Sequence, residues 1–234
     1  MTTVQAQPSA ADFLARNRGG GLFTMTVSQR IGAYLSVAAH RLGLAPTVLT
    51  IGNLVIGLGT SIAVLTLVPR DHRLHLVAGL VALVLWQLAY ALDCADGQLA
   101  RVTGQTSPAG KRIDILCDVA IQIALVAAVV AVAAAYVHLP SWLGALFAGT
   151  WMVNLVTSVL QTDDTAHSLV TSTSPVVQVI KLVRDYGAVV TVIALALAFA
   201  PQWMVWVLVA FTIVNGAFLL ASIAATARTS LGHR

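Results

Sequence analysis

Runs of about 20 or more predominantly apolar residues recur along most of this chain, and no other feature limits its possible folds so strongly. They cover 47–68, 74–97, 115–137, 141–160, 178–199 and 202–226. A helix rises about 1.5 Å per residue, so each run can cross the roughly 30 Å hydrocarbon core of a bilayer. Lipid offers no partner to backbone N–H and C=O groups, and runs this long and continuous do not suit barrel strands. The expected fold is an all-α integral membrane protein with six transmembrane helices. With 58% hydrophobic and 9% charged residues, little is left over for a separate soluble domain.

Residues 26–43, "TVSQRIGAYLSVAAHRLG", place Val27, Ile31, Leu35, Ala38 and Leu42 at helical spacing, with Gln29, Arg30, His40 and Arg41 mostly elsewhere. That pattern predicts an amphipathic interfacial helix on the cytoplasmic side, basic residues toward anionic lipid; a short helix packed on the bundle is the alternative. The expected organisation is a flexible N-terminal segment 1–25, the amphipathic helix with the six-helix bundle over 26–226, and a tail at 227–234. Residues 1–25 lack the apolar core of a signal peptide, so the first span is expected to direct insertion.

With six spans, both termini share a side. That side collects Arg16, Arg18, Arg30, Arg41, Arg101, Lys111, Arg112, Lys181, Arg184, Arg228 and Arg234, against Arg70 and Arg73 opposite. The bias points the termini to the cytoplasm. The net charge of +4 suits an anionic membrane surface or anionic substrate and requires no nucleic-acid partner.

All nine acidic residues are aspartates, and Asp93, Asp96, Asp114 and Asp118 fall within 26 residues between apolar flanks. On helices, Asp93 and Asp96 share one face, and so do Asp114 and Asp118. Trp86, Tyr90, Asp93 and Gly97 also share a face. Between the pairs, "VTGQTSPAG" (102–110) reads as a turn, broken by Gly104, Pro108 and Gly110. Converging carboxylates repel unless they hold cations or protons, and an oxygen-only ligand set suits magnesium or manganese. Two such ions are a recurring device for displacement at phosphorus. Gly97 and Ala100 would admit a phosphate close to the backbone, and Arg101 supplies a charged fork for its oxygens.

The stretch reads Asp-x2-Asp-Gly-x2-Ala-Arg-x8-Gly-x3-Asp-x3-Asp, through Asp93, Asp96, Gly97, Ala100, Arg101, Gly110, Asp114 and Asp118. It resembles the signature of the CDP-alcohol phosphotransferase family, integral-membrane enzymes of phospholipid synthesis. The amphipathic helix, Pro46 with Thr50, and the span count extend the resemblance; Thr47, where many relatives carry asparagine, departs from it. The resemblance implies transfer of a phosphatidyl group from a CDP-alcohol, such as CDP-diacylglycerol, to the hydroxyl of a small polar alcohol, with release of CMP. It implies two divalent cations, Mg or Mn, held by Asp93, Asp96 and Asp114 with Asp118 close by. Asp118 would be the general base, and Asp96, Gly97, Ala100, Arg101 and Gly110 would line the CDP site. It also implies a homodimer, and the setting would be a bacterial cytoplasmic membrane with the active site on the cytoplasmic face.

Lys181 and Arg184 are candidates for gripping an acceptor phosphate, or else are positive-inside anchors with Arg184 paired to Asp185. Two other functional assignments stay open: a CDP-linked polar headgroup donated to a lipid alcohol, and a cation-coupled transporter, which would place its acids near the midplane on broken helices. As structural pairs, the aspartates would bind Arg101 and Arg112. The polar loop 161–175 carries Asp163, Asp164 and His167, a metal-like spacing or a solvated cover. Cys94 and Cys117 lack metal or redox spacing and read as small apolar filler. Gly52, Gly57 and Gly59 are expected to permit close helix packing.

Overall fold

The computed structural model describes residues 7–17, 20–160 and 185–231, and every regular element among them is helical. The elements are α1 (Ala10–Ala15), a π-helical turn (Thr24–Ser28) running into α2 (Gln29–Arg41), α3 (Pro46–Leu67), α4 (His75–Thr103), α5 (Pro108–Tyr136), α6 (Ser141–Leu160), α7 (Tyr186–Phe199) and α8 (Met204–Leu231). Pro46–Leu67, His72–Thr103, Pro108–Tyr136 and Pro201–Ala224 are long and apolar enough to cross a membrane, while Ser141–Val153 and Tyr186–Phe199 are apolar and shorter. The four long helices match four of the six expected spans. The other two runs coincide with α6 and α7, and residues 178–184 of the latter lie outside the described residues.

Local chemistry sets the boundaries around the aspartates. Gly104 ends α4 in the left-handed conformation (φ 69°), which glycine adopts without a Cβ clash, and its N–H bonds the Ala100 carbonyl. The turn is shorter than the expected 102–110, because Pro108 and Gly110 lie inside α5. Ser107 caps that helix, its hydroxyl accepting from Gly110 N–H at 3.0 Å, and Pro108 occupies the first position, where no N–H is needed.

The core joins α3 to α8 through Trp86, Leu125, Phe147, Trp151, Leu197 and Leu208. Trp151 stacks on Phe211, with centroids 4.6 Å apart, and donates from its indole N–H to Gln122 Oε1 at 2.9 Å. Apolar side chains gain little by leaving lipid for one another, so close backbone approach has to hold such a bundle. A Cβ on Gly79 would lie 2.4 Å from the Ala198 backbone nitrogen, and one on Gly32 would lie 3.0 Å from the Ala91 carbonyl oxygen. Of the three glycines singled out in α3, only Gly57 has a tight neighbour: a Cβ there would stand 3.0 Å from the Ile121 side chain. A Cβ on Gly59 would meet nothing within 4 Å among the described residues, and one on Gly52 would make only ordinary contact with Leu92.

Gly79→Ala therefore forces α4 and α7 apart, since backbone cannot swing away as a side chain can. A loss of about 1–3 kcal/mol is expected in thermal or denaturant unfolding in detergent. Gly59→Ala, in open space, should be neutral or mildly stabilising.

Val55, Val84, Ile123, Ile213 and Leu220 are each 57–69% exposed, an apolar surface suited to lipid. Trp142, Trp203 and Trp206, 62–65% exposed, lie at helix starts remote in sequence from the aspartates, as an interfacial belt would place them. On α2 the buried face is Gln29, Gly32, Ala33, Ser36 and Ala39, and α2 packs on α4. Ile31, Ala38 and Leu42 of the expected apolar stripe stay on the surface, with Val27 and Leu35 half-buried.

Within the N-terminal 25 residues, Ala10–Ala15 form a helix docked on the bundle. Phe13 of α1 is fully buried among Ala33, Ala39, Leu49, Ala95 and Leu99, burial worth about 1.5–3 kcal/mol. Composition around "NRGGGLF" gave no sign that one aromatic upstream would find a pocket.

A candidate metal centre where two helices meet

The late turns of α4 and the early turns of α5 face each other across the Gly104 turn. This brings carboxylate oxygens of Asp93, Asp96 and Asp114 within 4.8 Å of one another. Asp118, one turn after Asp114, lies beside Asp93. At 4.8 Å and an effective dielectric of about 20, each pair of unit charges repels by about 3.5 kcal/mol. Folding this sequence therefore creates a strong local demand for positive charge.

Neighbouring polar groups fix the acids. Thr50 Oγ1 on α3 donates to Asp96 Oδ2 at 2.5 Å, and three residues later Asn53 Nδ2 donates to Asp93 Oδ1 at 3.4 Å. Both α3 residues are buried, as is Asp96 itself. Asp114 is different, because its Oδ1 is buried with no hydrogen-bond partner among the described residues. An orphaned carboxylate oxygen beside two others is what a bound cation would satisfy. The all-oxygen donor set fits a hard divalent ion such as Mg or Mn.

Arg101 lies one turn beyond Gly97. A Cβ on Gly97 would stand 3.0 Å from Arg101 Nη1, so glycine makes room for the guanidinium rather than leaving bare backbone. That guanidinium acts electrostatically on Asp114, and its Nε donates to the Arg16 carbonyl at 2.6 Å. Ala100 follows Asp96 by four residues on α4, and Gly110 sits one turn before Asp114 on α5. Lys181 and Arg184, with Asp163, Asp164 and His167, lie outside the described residues.

Several site neighbours escaped sequence reasoning. Tyr186, at the start of α7, is within electrostatic reach of Asp118 and Asp93, and it packs edge-on against Tyr90 with centroids 4.9 Å apart. Buried Asp185 accepts from Thr24 N–H at 2.9 Å and from its hydroxyl at 2.5 Å, leaving Tyr90 to donate to Thr24 Oγ1 at 3.0 Å. Trp86 donates to Ser61 Oγ on α3, the helix that also supplies Asn53 to Asp93, and Tyr90 bonds Thr24. The available clue was Asn53, an amide inside an otherwise apolar run and one turn after Thr50. Cys94 and Cys117 are both buried free thiols.

Thr50→Val should weaken manganese binding about 10- to 100-fold, as loss of a partner to a ligating carboxylate commonly does. Titration of the purified protein by electron paramagnetic resonance reads this directly; unchanged affinity would remove Thr50 from the site.

Unbroken α4 and α5 through all four acids are unlike the discontinuous helices of a cation-coupled transporter. No curated protein matches the chain. A family model described as CDP-alcohol phosphatidyltransferase matches residues 43–214, which contain the whole aspartate cluster and its α3 partners. The chain therefore belongs to the CDP-alcohol phosphatidyltransferase family, and with it to the integral-membrane transferases of phosphate-containing groups.

Proposed function

We propose that this protein moves a phosphatidyl group from CDP-diacylglycerol to the hydroxyl of a small polar alcohol and releases CMP. The observation that carries the proposal is the convergence of Asp93, Asp96 and Asp114 around the unpartnered Asp114 oxygen, inside a match to this family. Asp93, Asp96 and Asp114 would hold two divalent cations, with Asp118 beside them. When bound, such ions neutralise the diphosphate oxygens and the departing phosphate.

Thr50 and Asn53 keep two of the acids aimed before substrate arrives. Arg101, seated over Gly97, grips phosphate oxygens of the donor, while Asp96, Gly97, Ala100 and Gly110 line the space for its CDP portion. Asp118 accepts the proton of the acceptor hydroxyl. The oxygen then forms a bond to the β-phosphorus of the donor, and the bond from that phosphorus to the CMP oxygen breaks. Lys181 and Arg184 are proposed to bind an acceptor phosphate, supported by their charge and their place in sequence before α7.

The helices α4 and α5 have 29 residues each, about 44 Å at 1.5 Å per residue, against roughly 30 Å of hydrocarbon. Their excess at the Gly104 turn is consistent with a site at the membrane surface, where a lipid donor and a water-soluble acceptor can meet. The eleven-to-two distribution of basic residues supports a cytoplasmic face of a bacterial membrane, with α2 lying in its headgroup layer and the protein acting as a homodimer.

The test supplies purified protein with Mg, CDP-diacylglycerol labelled in the acyl chain, and polar alcohols one at a time. Label in a new polar-headgroup lipid supports the proposal. Transfer only from a CDP-linked headgroup to diacylglycerol would reverse the roles of lipid and headgroup.

A further inference from the structure

We propose that α1, which lies outside the family match, is a positioning element of the donor site and acts by holding Arg101 through the main-chain carbonyl of Arg16. The inference rests on the role given above to Arg101.

The Arg16 carbonyl belongs to the C-terminal end of α1, where helical carbonyls lack partners within the helix. Arg101 Nε donates to it at 2.6 Å. With that hydrogen bond made, the two terminal nitrogens lie 3.0 and 3.3 Å from where a Gly97 Cβ would stand, so the planar group rests on the glycine. The hydrogen bond to Nε, with the terminal nitrogens against Gly97, fixes the rotation of the fork about its long side chain.

A helix of six residues does not persist by itself in water. Its anchors are independent of Arg101. Phe13 is fully buried among residues of α2, α3 and α4, with its ring edge toward His40, centroids 6.2 Å apart. Ser9 and Asp12 form a capping box at the opposite end: the Asp12 carboxylate accepts from Ser9 N–H at 2.8 Å and from its hydroxyl at 2.7 Å. The guanidinium is thus ordered when the protein folds rather than when donor binds, and donor affinity gains by what that ordering would otherwise consume.

A double-mutant cycle on the full chain tests this, with magnesium-dependent CDP binding measured by calorimetry. Phe13→Ala, which undocks α1, should weaken CDP binding about three- to tenfold, the range expected for immobilising one long side chain. Arg101→Lys removes both Nε and the fork. In the double variant the two losses should not add, because α1 acts only through Arg101. Ser9→Ala with Asp12→Ala loosens α1 from the surface without touching the core; it should show a smaller loss with the same coupling, and it decides the matter if Phe13→Ala misfolds. Additive losses would make α1 merely structural and overturn the inference. Tighter CDP binding on undocking would also overturn it, since the Arg16 carbonyl would then compete with donor for Arg101. Absence of CDP binding in the wild type would overturn the proposed function as well.

Discussion

Asp118→Asn should slow CMP release by about 10²- to 10⁴-fold, the usual contribution of a general base, while leaving metal-dependent CDP binding close to wild type. Asp118 stands one turn deeper on α5 than Asp114 and outside the group of three whose oxygens lie within 4.8 Å. It remains close to Asp93. An amide of the same shape cannot take the acceptor's proton, yet Asp93, Asp96 and Asp114 are still present to hold cations and donor. Single-turnover rates measured beside CDP calorimetry separate these effects. Unchanged turnover would remove Asp118 from proton transfer, and lost CDP binding would make it chiefly a ligand.

Asp114→Asn should behave differently, abolishing metal-dependent CDP binding and turnover together. Its Oδ1 is buried with no hydrogen-bond partner among the described residues, so this oxygen has much to gain from a cation. Asparagine at that position removes a full negative charge and leaves one oxygen and one N–H₂, and the latter repels a cation. The same change lowers repulsion among the carboxyls, so the unliganded protein should be as stable as wild type or more so. Weak metal binding together with an unchanged or raised melting temperature is the expected signature. A large fall in stability without metal would make Asp114 a structural residue.

The contrast depends on two residues four apart in sequence, and the sequence made that spacing visible. Apolar runs and paired aspartates announced a helical membrane protein with an oxygen-ligand site, because helical periodicity and hydrocarbon thickness are local constraints. Asn53 and Tyr186 were not legible in the same way, since their roles depend on which helix packs beside which. Gly79 and Gly32 escaped notice for a related reason: a glycine in an apolar run shows its partner only once Ala198 or Ala91 lies against it. Phe13 illustrates the limit most clearly. In a polar, glycine-rich segment it looked like part of a loose leader, and only the pocket formed by Ala33, Ala39, Leu49, Ala95 and Leu99 gives it a position. The turn between α4 and α5 was overextended because Pro108 was read as a breaker, whereas Ser107 makes it the first residue of a helix.

The most direct test of the account is CMP release from CDP-diacylglycerol by the purified protein with its acceptor, measured with magnesium, after chelation and after magnesium is restored. Release that disappears with chelator, returns with magnesium and is missing in Asp114→Asn is the predicted result. Release that continues unchanged in chelator, or persists in Asp114→Asn, would contradict the claim that these aspartates hold the cations of the reaction.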